Sequence, residues 1–544
     1  MEPKQKTEQD TTVGKEHFAP KAEYLDEKLL AYSQTDAYPF HMPGHKRQSM
    51  GNWTGEEIDI TEITGFDNLH HAEGILREAQ CRAAKTFGAD ETFFLINGST
   101  AGLLSAICGT VKRRGRLLMA RNCHKAVYHA AYLMELKTAY LYPEQTDFGI
   151  QGSISPEQVR DMLEQYPDTE AVLLTSPTYD GVVSDIAAIA ALAHAKGVPL
   201  IVDEAHGAHF GFSQGFPQKA LALGADLCIE SVHKTLPAYT QSALLHYRKN
   251  PWIDLERVKQ YLGIYQTSSP SYILMAGIDR CTRILREQGT ELFAAYEQWL
   301  HDFYEKCKTL QRITVLSPDG KIGENGENDP GIWARDPSKI LICAEGAGLH
   351  GQELAELLTE QYHLELEMAS GHYATALTTL MDTQEGFDRL FAALQEIDRR
   401  NRNSGMLQQG QGLETADLQK TDVKSSRGIA EKSETLKSGK KNMGAKSALN
   451  EVFTTDDIYC EAEKVLEIAE AMDAPKTTIP LMSAAGCVSG EFVYLYPPGI
   501  PILAPGERVT EEILETLRIC QARNMQIEGM KDYSGQSLEI CNIL

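Results

Sequence analysis

No two of the eleven cysteines stand in a C-x-x-C spacing, and they scatter from Cys81 to Cys541, so neither a disulfide framework nor a zinc ribbon is suggested. Reduced thiols in a cytoplasmic protein are the natural expectation. No stretch of eighteen apolar residues occurs, and the opening MEPKQKTEQDTTVGKEHF lacks the apolar centre of a signal peptide; a membrane-spanning or secreted chain is not expected. Positive charge is in deficit, with 52 Lys and Arg against 76 Asp and Glu, a formal net charge of −24. Broad binding to nucleic acid or to an anionic membrane needs the opposite balance. A cationic small molecule would be favoured, although acidic solvated faces explain such a charge as well. No GKS or GKT is present, so DEAH at 203–206 is not half of a P-loop helicase site. No H-E-x-x-H supports His206-x-x-His209 as a metal site, and no internal repeat of 20–50 residues is found.

What is there reads as a soluble enzyme of several domains. The 544 residues exceed one core, and 42% hydrophobic with 24% charged residues is ordinary for globular chains. From Thr92 onward, short apolar runs (TFFLI, RLLMA, TAYLY, AVLLT, PLIVD, DLCIE, SALLHY) alternate with helical stretches. One such stretch, Asp185–Lys196, has an Asp cap and stops at Gly197. This alternation predicts βαβ units around a mostly parallel sheet buried on both faces, an α/β fold. The expected organisation is an N-terminal segment over 1–65, including the FHMPGHK turn flanked by His41 and His45, and a large domain over 66–310. A smaller α+β domain follows over 311–400, then a linker or insertion over 401–450, and a C-terminal domain over 451–544. The 401–450 stretch has no aromatic residue and is rich in Lys, Ser, Gly and Gln, so it cannot bury enough apolar surface to order itself. Its deletion, with the ends rejoined by a short flexible linker, is expected to leave a soluble and active protein; insoluble protein would show that the segment docks onto the rest.

The chemistry gathers at strand ends. VPLIVD ends at Asp203, and DLCIE runs into Ser231-Val-His233-Lys234, so an acid and a lysine 31 residues apart share the ligand-binding rim of an open α/β sheet. Pyridoxal 5′-phosphate (PLP) requires such a pair: the lysine forms a Schiff base, and a carboxylate keeps the pyridine nitrogen protonated. Asn97-Gly-Ser99-Thr100-Ala-Gly, where TFFLI turns into an apolar helix, offers backbone N–H groups and two hydroxyls to a phosphate; Ser231 and His233 would complete the cradle. Alone, this turn is explained as readily by helix capping. His124, directly after RLLMA, lies on the same rim, where its flat ring is placed to stack on a cofactor.

FHMPGHK, the INGSTAGLL turn, RNCHKAV, SPTYDG, VDEAHGAHFGF, SVHKTLPAYTQSALLH, TSSPSY and YPPGIPILAPGE together resemble the Orn/Lys/Arg decarboxylase family. The resemblance runs over nearly the whole chain from about residue 25, apart from 401–450. It is nearest the shorter biosynthetic arginine decarboxylase-like members. It implies a fold-type I, aspartate aminotransferase-like large domain holding PLP, with Lys234 as Schiff-base lysine, Asp203 as pyridinium partner and His124 as stacking ring. Ser99, Thr100, Ser231 and His233 fall at phosphate-side positions, and His206 near the cofactor edge. It further implies a homodimer with the active site at the subunit interface, Thr267 and Ser268 reaching the neighbouring subunit's phosphate.

Decarboxylation of a basic amino acid follows, arginine to agmatine in polyamine biosynthesis, with lysine or ornithine as alternative substrates. Lys234 or His233 is placed to return a proton to the carbon that loses CO2. Transamination or aldol cleavage would use the same lysine and acid. The segment LELEMASGHYATALTTL, however, contains no arginine to retain an α-carboxylate. For the distal end of the substrate, Glu491 and then Asp532 in the C-terminal domain are the candidate acceptors, a guanidinium needing planar carboxylates. Pairing with a structural lysine or capping a turn is the alternative role for Glu491.

Overall fold

The computed structural model describes residues 66–322, 327–400, 461–495, 499–523 and 525–542, with positions 36, 38–40, 46, 62 and 459. His41, His45 and the whole of 401–450 lie outside the described residues.

The seven apolar runs become seven strands of one sheet: β1 (Glu91–Leu95), β2 (Arg116–Ala120), β3 (Lys137–Leu141), β4 (Thr169–Thr175), β5 (Leu200–Asp203), β6 (Leu227–Glu230) and β7 (Ala243–Tyr247). Their order is β1-β7-β6-β5-β4-β2-β3. Only β7 runs antiparallel, to both of its neighbours. Successive side chains of a strand face opposite ways, and the two faces bury separate cores. Leu117, Met119, Leu173, Ile201 and Ile229 share one core; Leu118, Ala120, Val172, Leu174 and Val202 share the other. Truncating a strand-centre residue such as Leu173 to alanine would cost roughly 2–5 kcal/mol.

Helices α1 (Ile75–Phe87), α2 (Gly98–Thr110), α3 (Lys125–Leu133) and α4 (Ile186–Ala195) flank this sheet. Asp185 caps α4 by accepting from the Ala188 amide at 3.0 Å, and Gly197 ends it at φ +71°. Helix α2 is apolar on all sides because the sheet and neighbouring helices cover it. It lies close on the sheet: a Cβ at Gly102 would stand 2.5 Å from Leu95 Cδ1 and 3.0 Å from Ile229 Cγ2. That close approach fixes the height at which its N-terminus meets the strand ends.

A 36-residue helix, α5 (Tyr272–Cys307), leads out of the large domain. The sheet that follows is built of β8 (Thr314–Val315), β9 (Lys339–Cys343), β10 (Met368–Ala369) and β11 (Ala374–Leu377), in the order β8-β9-β11-β10, all antiparallel. Helices α6 (Gly351–Tyr362) and α7 (Gln384–Arg399) pack with it. The C-terminal part has its own core around Val493, Ile502, Ile513 and Leu517. It is tied to the large domain through Arg121, whose guanidinium meets Glu507 at 3.0 Å and the Pro501 carbonyl at 2.7 Å, all buried. Removing either partner would strand a buried charge, which typically costs about 3–5 kcal/mol.

Candidate active site

A cavity of about 520 Å³ opens at the carboxyl ends of β4, β5 and β6, where ligands bind in open α/β sheets. The register places Thr175 beside Asp203 and Asp203 beside Ile229, so three adjacent strands deliver their last residues to one rim.

Asp203 is 3% exposed and accepts the Ala205 amide at 3.2 Å. Burial pushes its carboxyl up to about 6, against the opposing pull of Lys234. Lys234 stands in the short helical turn Val232–Thr235, and burial lowers its ammonium from the ordinary lysine range while Asp203 and Glu367 oppose. Its Nζ lies 2.9 Å from His206 Nε2. The other ring nitrogen, Nδ1, lies 2.7 Å from Lys339 Nζ. A neutral imidazole has one N–H, so the two lysines cannot play the same part. Lys339 has Asp336, Glu367 and Asp180 as nearby anions, and burial still brings it down to about 8. Lys339, with those acids around it, is placed to donate to Nδ1, and Lys234 meets the ring at Nε2. Lys339 was invisible in the sequence because it arrives on β9, far from any strand-end motif.

His124 caps α3, its Nδ1 accepting the Ala126 amide at 3.2 Å. Burial and the neighbouring Lys234 push it down to about 3, so it is a neutral ring on the cavity wall. His233 Nδ1 meets the Ser242 carbonyl at 2.8 Å. A carbonyl only accepts, so the proton is on Nδ1 and Nε2 is the acceptor; burial takes this ring down to about 4.

The residues expected to meet a phosphate lie close together. Gly98 opens α2 at φ +73°, a left-handed conformation that favours glycine. The α2 N-cap Asn97 makes no side-chain cap bond, so the first amides of the helix are left for a ligand. Ser99 and Ser231 hydroxyls stand 2.6 Å apart. Gly98, Ser99, Thr100, Ser231, His233 and Lys234 all line the cavity.

Four expected residues are not brought to it. Glu491 is buried in the C-terminal part, its two carboxylate oxygens accepting the Lys531 and Glu539 amides at 2.7 and 2.8 Å. Asp532 binds the Ser534 hydroxyl and amide and the Ser537 hydroxyl in a surface turn. Neither lines the cavity, and each carboxylate is engaged by its local turn or strand. Glu491 thus takes backbone amides from a loop and a strand, not the ammonium of a structural lysine. Thr267 and Ser268 lie in the turn that precedes α5 and are also absent from this chain's cavity; the Thr267 carbonyl accepts from His70 at 2.8 Å.

The wall holds other carboxylates instead. Asp180 accepts the Tyr373 hydroxyl at 2.6 Å, and Glu367 the Tyr179 hydroxyl at 2.5 Å. Burial raises the Asp180 carboxyl, with Tyr373 and Lys339 opposing. Both acids, Tyr179, Tyr373, Met368, Tyr459 and Ile500 line the cavity, and among the described residues no arginine does. Asp180 was legible as part of SPTYDG, and Glu367 as part of LELEM, but nothing local in either motif says that its acid faces a ligand. Of the two histidines weighed as a metal pair, His206 lies between the lysines and His209 bonds Asp336 at 3.1 Å, so they do not form a joint metal site.

An anion cradle at a helix N-terminus, with a lysine and an acid at the ends of adjacent parallel strands in a mostly parallel sheet, defines the fold-type I class of PLP enzymes. Within that class, the chain belongs to the Orn/Lys/Arg decarboxylase family: the major-domain model matches residues 24–322 and the C-terminal-domain model residues 448–536. It is 29% identical to an arginine decarboxylase of Bacillus anthracis over 94% of this chain and 96% of that one. It is 22% identical to the lysine decarboxylase LdcA of Pseudomonas aeruginosa, over 89% and 73%. The crystal structure of the Francisella novicida lysine decarboxylase LdcF superposes with a TM-score of 0.71 at 18% identity, covering 95% of this chain and 80% of that one. Among the described residues no helix is long and apolar enough to cross a membrane.

Proposed function

We propose that this protein is a PLP-dependent decarboxylase whose preferred substrate is arginine. The observation that carries the reading is one cavity that joins a buried amine, a buried acid and an anion cradle, with no arginine on its wall. The preference for arginine rests on the arginine decarboxylases among its relatives and on the two carboxylates in the cavity.

The residues present fit the cofactor. Asn122 Oδ1 and Thr175 Oγ1 are buried without a hydrogen-bond partner, and both residues line the cavity. Unsatisfied groups of this kind cost roughly 1–3 kcal/mol each, a penalty that a polar ligand relieves. Lys234 would hold the cofactor covalently, Asp203 would face its ring nitrogen, and His124 would cover the ring. Ser99, Thr100, Ser231, His233 and the α2 amides would hold the phosphate. When bound, the cofactor supplies an electron sink for the pair left behind as CO2 departs.

The chain's own residues orient the substrate and handle its protons. Among the described residues no arginine lines the wall to clamp the α-carboxylate. The apolar part of the wall offers a poorly solvated surface, which favours loss of the carboxylate's charge as CO2. The missing clamp also argues against transamination. The Lys234 amine, its ammonium form disfavoured by burial, is placed to take up and return the proton. Lys339 holds the His206 tautomer that this exchange requires. The enzyme acts as a homodimer, with Thr267 and Ser268 of each chain turned to the partner's phosphate cradle.

Borohydride reduction of the holoenzyme followed by peptide mapping tests the assignment. A pyridoxyl group is expected on Lys234, and its appearance on Lys339 or on any other lysine would overturn the site. Release of CO2 from arginine, lysine and ornithine, measured side by side, ranks the substrates.

A further inference from the structure

In the sheet that follows α5, three elements bring three kinds of metal-ligating side chain together. Cys343 is the last residue of β9, and Glu345 opens the 3-10 turn Glu345–Ala347 that follows it. His372 lies in the turn between β10 and β11. Antiparallel pairing of Ile342 with Ala374 sets the end of β9 beside that turn. Their ligand atoms all lie within 4.8 Å of one another. Glu345 Oε1 is 3.1 Å from His372 Nδ1, and Cys343 Sγ is 3.9 Å from the same nitrogen. We propose that Cys343, Glu345 and His372 form a binding site for a thiophilic divalent cation of the zinc type, with His350 able to supply the fourth ligand.

The distances have the right scale. A tetrahedral Zn²⁺ with bonds of about 2.3 Å to sulfur and about 2.0 Å to nitrogen and oxygen sets its ligand atoms roughly 3.3 Å apart for N and O and about 3.5 Å apart for S and N. The observed 3.1 and 3.9 Å bracket these values.

The second observation is the state of the polar atoms. Glu345 Oε1 is buried and makes no aligned hydrogen bond; its charge partner is His372 Nδ1, 3.1 Å away, when that ring carries a second proton. His350 Nδ1, on a half-exposed side chain, lies 4.0 Å from the same oxygen. A cation here would take the place of that imidazolium proton and draw on the carboxylate and both rings together.

The backbone is shaped to bring them there. His350 precedes α6 at Gly351, where a Cβ would stand 2.2 Å from the Tyr373 carbonyl and 2.4 Å from that of Ser370. Only glycine lets the helix start press against the turn that carries His372. A thiolate, an imidazole and a carboxylate together select a borderline-soft ion over Mg²⁺ or Ca²⁺, which prefer all-oxygen sites. The site is separate from the catalytic residues proposed above, although His372 adjoins Tyr373 on the cavity wall.

The experiment is Zn²⁺ binding to holoenzyme first dialysed against a chelator, read by metal analysis and calorimetry, with zinc-edge X-ray absorption on the loaded protein. One equivalent is expected, with a sulfur scatterer at about 2.3 Å. Cys343→Ser should abolish the sulfur shell, and His372→Ala should weaken binding at least ~100-fold, while the PLP absorbance and melting temperature of both variants stay near those of the parent. His350→Ala should give a smaller loss, on the order of 10-fold, because a water can take its place. Zinc bound without sulfur, or bound equally by the parent and both main variants, would overturn the proposal. So would no binding at micromolar zinc, which would leave the cluster an imidazolium hydrogen-bonded between thiol and carboxylate.

Discussion

Asp203→Asn is expected to slow decarboxylation by roughly 10²- to 10³-fold, the usual loss when a preorganised electrostatic partner is removed from a catalytic site, and at the same time to make the cofactor-free protein more stable. The two effects share one cause. Asp203 is buried at the end of β5, and burial raises its carboxyl from 3.8 to about 6. Between those values the folded protein holds a proton that the unfolded chain has released, so stability falls as pH rises from about 4 to about 6 and stays reduced above. The gap converts to roughly 3 kcal/mol at neutral pH. Asparagine keeps the shape and carries no such penalty. Melting temperatures of the two cofactor-free proteins should therefore differ at pH 7.5, with the variant higher, and converge near pH 4. In the holoenzymes the gap should shrink, since a cationic ring partner stabilises the ionised acid. Normal turnover in the variant would make Asp203 a structural acid; equal melting at pH 7.5 would mean that its charge is already compensated without cofactor.

The sheet was legible because its signals are local. A short apolar run bounded by polar turns reads as a buried strand wherever it sits, and all seven runs are strands. Asp185 and Gly197 mark the ends of α4 by their own chemistry. The reversed direction of β7 was not legible, since an apolar run buried on both faces has the same composition in either direction. Strand-end residues such as Asp203, Lys234 and His124 could be placed because an open parallel sheet puts all its carboxyl ends on one rim. Lys339, Glu367 and Tyr459 could not. Glu367 and Tyr459 reach the cavity wall, and Lys339 the far nitrogen of His206, through the packing of later parts of the chain on the large sheet, which no spacing in the chain records. Glu491 shows the converse limit. The sequence says that an acid beside an apolar strand needs partners, but it does not say that two backbone amides from the neighbouring loop and strand supply them.

On the proposed function, Asp180 and Glu367 are the acids placed to meet the distal end of the substrate, and replacing them should change which amino acid is used. Each is an acid on the cavity wall, with a tyrosine hydroxyl donating to it. The raised Asp180 carboxyl is that of a buried acid for which an entering cation restores the charged form. A guanidinium met by carboxylates forms charge-assisted, planar hydrogen bonds, and breaking one such buried pair costs about 2–5 kcal/mol. On this scale Asp180→Asn and Glu367→Gln should each lower kcat/KM for arginine by roughly 30- to 5 × 10³-fold. The selective readout is arginine against citrulline, which has the same shape with a neutral urea in place of the guanidinium. The amide variants should lose most of the preference for arginine, because the charge they no longer recognise is the only major difference between the two. Tyr373→Phe, which removes the hydroxyl but keeps the acid, should retain that preference, and Glu491→Gln should leave kcat/KM for all substrates near the parent value while lowering stability. Equal losses on arginine and citrulline in the Asp180 and Glu367 variants would assign both acids to the architecture of the wall and return the search for the distal acceptor to the subunit interface.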